Sequence, residues 1–236
     1  EKTGTYTNSN RQIQIANQIK KPPGQAKQDW KLIVEIAKRC GFNWKYHEVK
    51  DIFKEMSFFM NSLKNITWQR LENEDAVCYP ATNIDQPGDE VMFSDGFPTK
   101  NGLAQIVPVE LTDPNELPDA KFPMILTTGR LLEHWHTGAM TRRSYDLNIQ
   151  EPSATVSMNP EDIKNLSLKR GKKVIVKTRR GSIKLILRED RNISLGVLFI
   201  PFCFVEAPAN ILTDSNLDPF GKIPEFKFSA ATVVSA

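Results

Sequence analysis

Between Lys172 and Glu189 the chain reads KKVIVKTRRGSIKLILRE. Apolar residues occupy two short runs, and charges gather at their ends and at the intervening RRGS. A period-two pattern broken by a Gly-containing turn predicts a strand, a tight turn and a second strand. This stretch constrains the fold most, because an isolated hairpin is marginal in water and must pair with further strands. Candidates are present on both sides. MILTT (124–128) and ATVSM (154–158) precede it, and GVLFIPF (196–202) and FSAATVV (228–234) follow. Between ATVSM and the hairpin, Asn159 is suited to cap a short helix, with Pro160 at its first position and Glu161 and Asp162 at its positive end. Residues 118–236 thus predict a compact, mainly-β domain with one or two short helices, of barrel type.

Residues 1–117 have a different texture. The first 28 are polar and predict an irregular or extended entry segment. DWKLIVEIAKRCGF (29–42) predicts a helix, with Asp29 as its cap, Trp30, Ile33, Ile36 and Ala37 on one face, cations in the last turn and Gly41 ending it. VKDIFKEMSFFMNSL (49–63) predicts a second, with Ile52, Met56, Phe59 and Met60 as its apolar face. Turn signals dominate from Leu71 to Val107. The expected organisation is therefore a helical, loop-rich segment over 1–117 followed by the β domain.

With 236 residues the chain can bury a sizeable core, and a net charge of +3 is too small to imply nucleic acid. From Lys164 to Arg191 there are eleven Lys or Arg against Glu189 and Asp190 alone. A nucleic-acid surface would interleave aromatic residues with those charges, and none is present, so a solvated hairpin is the better reading. No apolar run reaches the length of a membrane span. Cys40, Cys78 and Cys203 are far apart and form no C-x-x-C, which fits reduced thiols in a cytoplasmic setting.

The chemistry concentrates in TTGRLLEHWHTGAMTRR, Thr127 to Arg143. Three readings are open from residue types. His134 and His136 could ligate a metal if both lay on one strand, but Glu133 and the distant His47 are the only evident helpers. Trp135 could be buried, with both histidines bonded to backbone. Alternatively the run cradles an anion: a strand enters Gly129, Thr128 and Thr137 supply hydroxyls, and Arg130, Arg142 and Arg143 supply forked donors, a set suited to a pyrophosphate carrying a purine. Further on, Phe202 and Phe204 end a strand, Asn210 offers an amide to a heterocycle edge, and Lys222 and Lys227 offer positive charge. That stretch reads equally as a long connection clamping the barrel, stiffened by Pro208, Pro219 and Pro224.

Taken together, TGRLLEHWHTGAMTRR, MNPEDIKNLSLKRGKKVIVKTRRGSI, GVLFIPFCFVEAPANILT and LDPFGKIPEFK resemble, in this order, the C-terminal portion of the catalytic subunit of molybdopterin-guanine-dinucleotide oxidoreductases. Upstream, EKTGTYTNSNRQIQ, PPGQAKQDWKLIVEIAKRCGF and FPTKNGLAQIVPVEL resemble formate dehydrogenases in particular. The resemblance implies a six-stranded double-psi β-barrel that binds molybdenum or tungsten held by two pterin guanine dinucleotides. It implies that Thr128, Gly129, Arg130, Glu133, His134, His136, Thr137, Asn210 and Lys227 lie along this cofactor, with the histidines as hydrogen-bonding groups and not metal ligands. It implies that Phe202 matches a position near the substrate entrance in relatives that reduce nitrate, and that no catalytic residue or metal ligand is in this chain. Formate oxidation to carbon dioxide would need a companion N-terminal portion carrying a 4Fe–4S cluster and the metal ligand, with iron–sulfur electron-transfer subunits as partners. The start at Glu1 reads as a fragment, a processed chain or an incomplete record, and the missing cluster and metal-ligand residues imply a piece that is split, cleaved or separately encoded. A nitrate reductase of the same family, or a non-catalytic cofactor carrier, are the alternatives. Ser229 stands where relatives usually have Cys, and only a packing change is expected from it.

Overall fold

The computed structural model describes residues 1–236. They form two compact units, Glu1–Pro108 and Val109–Ala236.

The first unit has a three-stranded antiparallel sheet in the order β1 (Gly4–Thr7), β2 (Gln12–Ala16), β3 (Ala76–Cys78). The polar entry segment is therefore largely a hairpin. Asn8 makes its turn: its carbonyl accepts from Arg11 N at 3.0 Å and its side chain from Gln12 N at 3.0 Å, while Arg11 takes the left-handed conformation at φ 64°. Helix α1 (Asp29–Arg39) begins one residue earlier than expected, since Asp29 is already helical, makes no cap bond and pairs with Lys2 at 2.6 Å. Its C-terminus ends as predicted, with Gly41 at φ 89° and Phe42 N reaching Ala37 O at 3.0 Å. Helix α2 (Val49–Phe59) starts with a capping box between Glu48 and Asp51. Helix α3 (Trp68–Asn73) runs into the stretch where turn signals dominate, and β3 lies inside it.

The unit's core is small: Ile13, Phe53, Leu63, Ile66, Leu71, Val77 and Ala81. The expected helix faces do not build it. Only Ala37 of α1 and Phe53 of α2 are buried, whereas Ile33, Ile36 and Phe59 are exposed. Both helices are amphipathic, but no element of this unit covers those stripes.

The second unit is a closed mixed barrel of six strands, as expected. In chain order these are β4 (Met124–Gly129), β5 (Thr155–Met158), β6 (Lys173–Lys177), β7 (Ser182–Glu189), β8 (Val197–Pro201) and β9 (Ser229–Ser235). Around the barrel they run β4-β8-β5-β7-β6-β9. Two couples are parallel, β4 with β8 and β5 with β7, and the other contacts are antiparallel. Helix α4 (Tyr145–Gln150) and helix α5 (Pro160–Asn165) fill connections. Asn159 caps α5 by accepting from Glu161 N at 2.9 Å, as the sequence indicates. Alternate residues of β6 and β7, including Val174, Val176, Leu185 and Leu187, point inward to meet Leu126, Val156, Met158, Leu198 and Ile200. Closure leaves no free sheet edge.

The barrel unit also takes in residues 109–117, which sequence texture assigned to the preceding segment. Glu116 ties this segment to the barrel. Its carboxylate receives Arg179 at 2.5 Å, Arg180, and the Ala230 N–H at 2.9 Å, while Asp119 takes the second arm of Arg179 at 2.6 Å. The hairpin turn expected to be solvated is thus pinned by two acids outside the run. Ser229 does more than pack: it is buried, and its hydroxyl accepts from Asp214 N at 3.1 Å. No helix of the chain is long and apolar enough to cross a membrane.

Candidate functional site

Because β4 and β8 are parallel neighbours, with Gly129 opposite Pro201, the loops that follow them leave the barrel at the same end. The β4 loop carries the histidine–arginine run, and the β8 loop carries Phe202 to Thr213. Between them lies a cavity of about 970 Å³. The volume is at the upper end of ordinary small-molecule sites. One wall is apolar, built by Phe202, Phe204, Val205, Pro208 and Phe226. Thr128, Arg130, His136, Thr137, Asn210 and Lys227 supply the polar groups, and no carboxylate lines it.

The lining groups are held in distinct ways. The Thr128 hydroxyl donates to Phe226 O at 2.8 Å, and Lys227 Nζ donates to Thr128 O at 2.5 Å, so the C-terminal loop is tied to the end of β4. Asn210 sits in a short 3-10 turn whose Thr213 hydroxyl donates to Asn210 O at 3.1 Å, leaving the Asn210 side-chain amide free. His136 adopts φ 50°, with its ring edge-on to exposed Trp135 at 4.5 Å between centroids. Arg130 makes no hydrogen bond or ion pair within the chain, and its guanidinium lies 6.0 Å from the Trp135 ring.

Of the ten residues that the resemblance places along the cofactor or at the substrate entrance, seven, including Phe202, therefore meet at one cavity, and three do not line it. His134 is 1% exposed, with Nε2 2.8 Å from Glu151 O and Nδ1 3.4 Å from the Thr141 hydroxyl, and it packs edge-on against Phe204. The reading that buries Trp135 and bonds both histidines to backbone fits His134 alone. Glu133 is half-buried and off the wall. Gly129 is needed for a neighbour within the barrel: a Cβ there would stand 2.3 Å from the Phe199 ring. Of the three arginines expected to be forked donors, Arg142 is committed to Glu206 and Arg143 donates to Ala139 O at 3.1 Å, which leaves Arg130. Lys222 folds back on Pro219 O at 3.0 Å.

Sequence reasoning missed Val205, Pro208 as a wall residue, Ala209, Thr213 and Phe226. Phe226 had a signal, since it adjoins Lys227. The others are ordinary loop residues whose role depends on the loop's path. No group of three or more His, Cys, Asp or Glu is placed to hold a metal ion.

The thiols are in unlike settings. Burial pushes Cys203 up to about 11, while Cys40 is exposed. A raised value keeps the thiol protonated and unreactive. Iodoacetamide at pH 8 should therefore label Cys40 in the folded chain and reach Cys203 only after denaturation. Peptide mass spectrometry reads this, and equal labelling of the two would contradict the described burial.

Comparison with known proteins gives two family matches: residues 124–230 match the molybdopterin dinucleotide binding domain, and residues 1–39 match molybdopterin oxidoreductase. The chain is 41% identical over 237 residues to the F420-dependent formate dehydrogenase subunit alpha of Methanocaldococcus jannaschii, an alignment covering 99% of this chain and 35% of that protein. It is 28% identical to the assimilatory nitrate reductase catalytic subunit of Bacillus subtilis, across 99% of this chain and 34% of that one. The chain thus spans about a third of the length of the curated relatives it matches. Among solved structures, acetylene hydratase from Pelobacter acetylenicus superposes with a TM-score of 0.74 at 19% identity, over 100% of this chain and 37% of that one, which shows a shared fold.

Proposed function

We propose, from the chain's membership of the molybdopterin oxidoreductases as a C-terminal portion of a catalytic subunit, that the barrel-end cavity holds a guanine dinucleotide arm of a bis-pterin molybdenum or tungsten cofactor serving formate oxidation. The observation that carries this is the composition of the cavity: an apolar wall, two cations and no acid. An anionic diphosphate joined to a flat heterocycle fits such a wall. Arg130 and Lys227 would offset the diphosphate charge, the Thr137 hydroxyl would donate to it, and Asn210 would meet the base with both a donor and an acceptor. The phenyl rings would exclude water from the face of the base. Arg130 is the group best prepared for this, since no protein partner must be displaced from it.

When bound, the cofactor supplies the two-electron redox chemistry. This chain contributes placement and charge compensation, Phe202 stands toward the substrate entrance, and none of its residues is assigned a proton-transfer step. The 4Fe–4S cluster and the metal ligand would come from an N-terminal portion, with iron–sulfur subunits as electron partners in a cytoplasmic complex. Formate is favoured over nitrate by the higher identity to the formate dehydrogenase subunit.

The test is made on the assembled complex. Acid hydrolysis should release GMP, and formate should drive reduction of a viologen dye. Nitrate-dependent dye oxidation without formate turnover would replace the substrate assignment by the nitrate reading. Stable loading of this polypeptide with cofactor, without any companion and without turnover in the complex, would favour a carrier.

A further inference from the structure

The two loops that frame the cavity are joined behind it. Arg142, on the β4 loop, donates through Nη1 to Glu206 Oε2 at 2.6 Å and through Nη2 to Glu206 Oε1 at 2.8 Å, and Glu206 is on the β8 loop. The same guanidinium lies 4.9 Å from the centre of the Phe204 ring. Phe204 is fully buried apart from its cavity edge, and the ring of His134 meets it edge-on at 5.8 Å. A cavity wall residue is thus contacted by two side chains of the opposite loop. Neither Arg142 nor Glu206 lines the cavity.

Backbone geometry shows that the approach is close. Gly138 is left-handed at φ 74°, and a Cβ there would stand 2.7 Å from both Cys203 O and Arg142 Cδ. The β4 loop therefore presses its backbone onto the β8 loop beside the ion pair. A bidentate Arg–carboxylate pair fixes both distance and orientation, unlike a single contact.

We propose that Arg142 and Glu206 are positioning residues for the dinucleotide site: a clasp that sets the spacing of the two loops and holds Phe204 in the wall, without touching the ligand. The inference rests on the cavity being the dinucleotide site. It assigns a role to the arginine that residue types would have placed on the phosphates, and to His134, which also packs against Phe204.

The test uses the whole 236-residue chain, with guanosine diphosphate as probe and amide hydrogen exchange as a second readout. Glu206→Ala should weaken binding of the probe by roughly three- to thirtyfold. It should speed exchange in both loops, around residues 130–143 and 202–213, and leave the barrel strands unchanged. The Arg142→Ala/Glu206→Ala double variant should bind no more weakly than Arg142→Ala alone, and Glu206→Asp should recover part of the loss. Additive losses, or exchange that rises in one loop only, would overturn the clasp, as would wild-type affinity in Glu206→Ala. Failure of the wild-type chain to bind the probe, together with no GMP on acid hydrolysis of the assembled complex, overturns the dinucleotide reading and the clasp's part in it. The exchange arm still decides whether the pair couples the loops.

Discussion

Arg130→Ala should weaken cofactor binding by roughly 1.5–3 kcal/mol, a loss of about ten- to a hundredfold in affinity, with the fold unchanged. The argument has two halves. A hydrogen bond to a charged partner is worth more than a neutral one, and the diphosphate would present two acceptors to a forked donor. Within the chain, Arg130 has no hydrogen-bonded partner, and its contact with the exposed Trp135 face is loose at 6.0 Å. Stability should therefore move by no more than about 0.5 kcal/mol. Lys227 is the contrast: its Nζ already holds Thr128 O, so its removal would disturb the loop as well as the ligand. GMP released from the purified complex, with a thermal melt of the same sample, separates the two. Full cofactor occupancy with an unchanged release rate in Arg130→Ala would remove this arginine from the site.

Leu198→Ala should lower stability of the barrel by about 2–5 kcal/mol. Leu198 is 0% exposed and stands opposite Leu126 on β4 and Met158 on β5, so it touches both neighbours of β8. The closed barrel cannot shift one strand inward without straining the rest of the hydrogen-bonded ring, so the void would remain largely open. Chemical denaturation followed by circular dichroism measures the loss. A change below about 1 kcal/mol would mean that the core relaxes around the missing atoms. Because β8 and β4 both deliver loops to the cavity, the variant should also bind the dinucleotide less well.

The barrel was legible because its signals are local. Alternation in β6 and β7 and the Asn159-Pro160 start of α5 each lie within a few residues of what they specify. The β4 loop was legible as a candidate site for the same reason: glycine, hydroxyls and arginines stand together in sequence, and Thr128, Arg130, His136 and Thr137 do line the cavity. What stayed hidden depends on pairing at a distance. Strand β3 is three residues long and finds β2 about sixty residues upstream, and nothing in AVC announces that. Arg142 looked like a phosphate donor because its mate, Glu206, is 64 residues away. The helix faces of α1 and α2 illustrate a second limit. A periodic apolar stripe specifies a helix and a preference for burial, but not which surface provides the burial, and Ile33, Ile36 and Phe59 remain open.

Glu116 has a practical bearing on how the polypeptide can be divided. One carboxylate gathers a hairpin turn and the first residues of the last strand, through Arg179, Arg180 and the Ala230 N–H. An expression boundary at residue 118, where composition changes, would strip the acid, leave Arg180 without its carboxylate partner and leave Arg179 with Asp119 alone. A cut ahead of Val109 keeps the acid in place, and excised barrels intended for ligand titration should begin there.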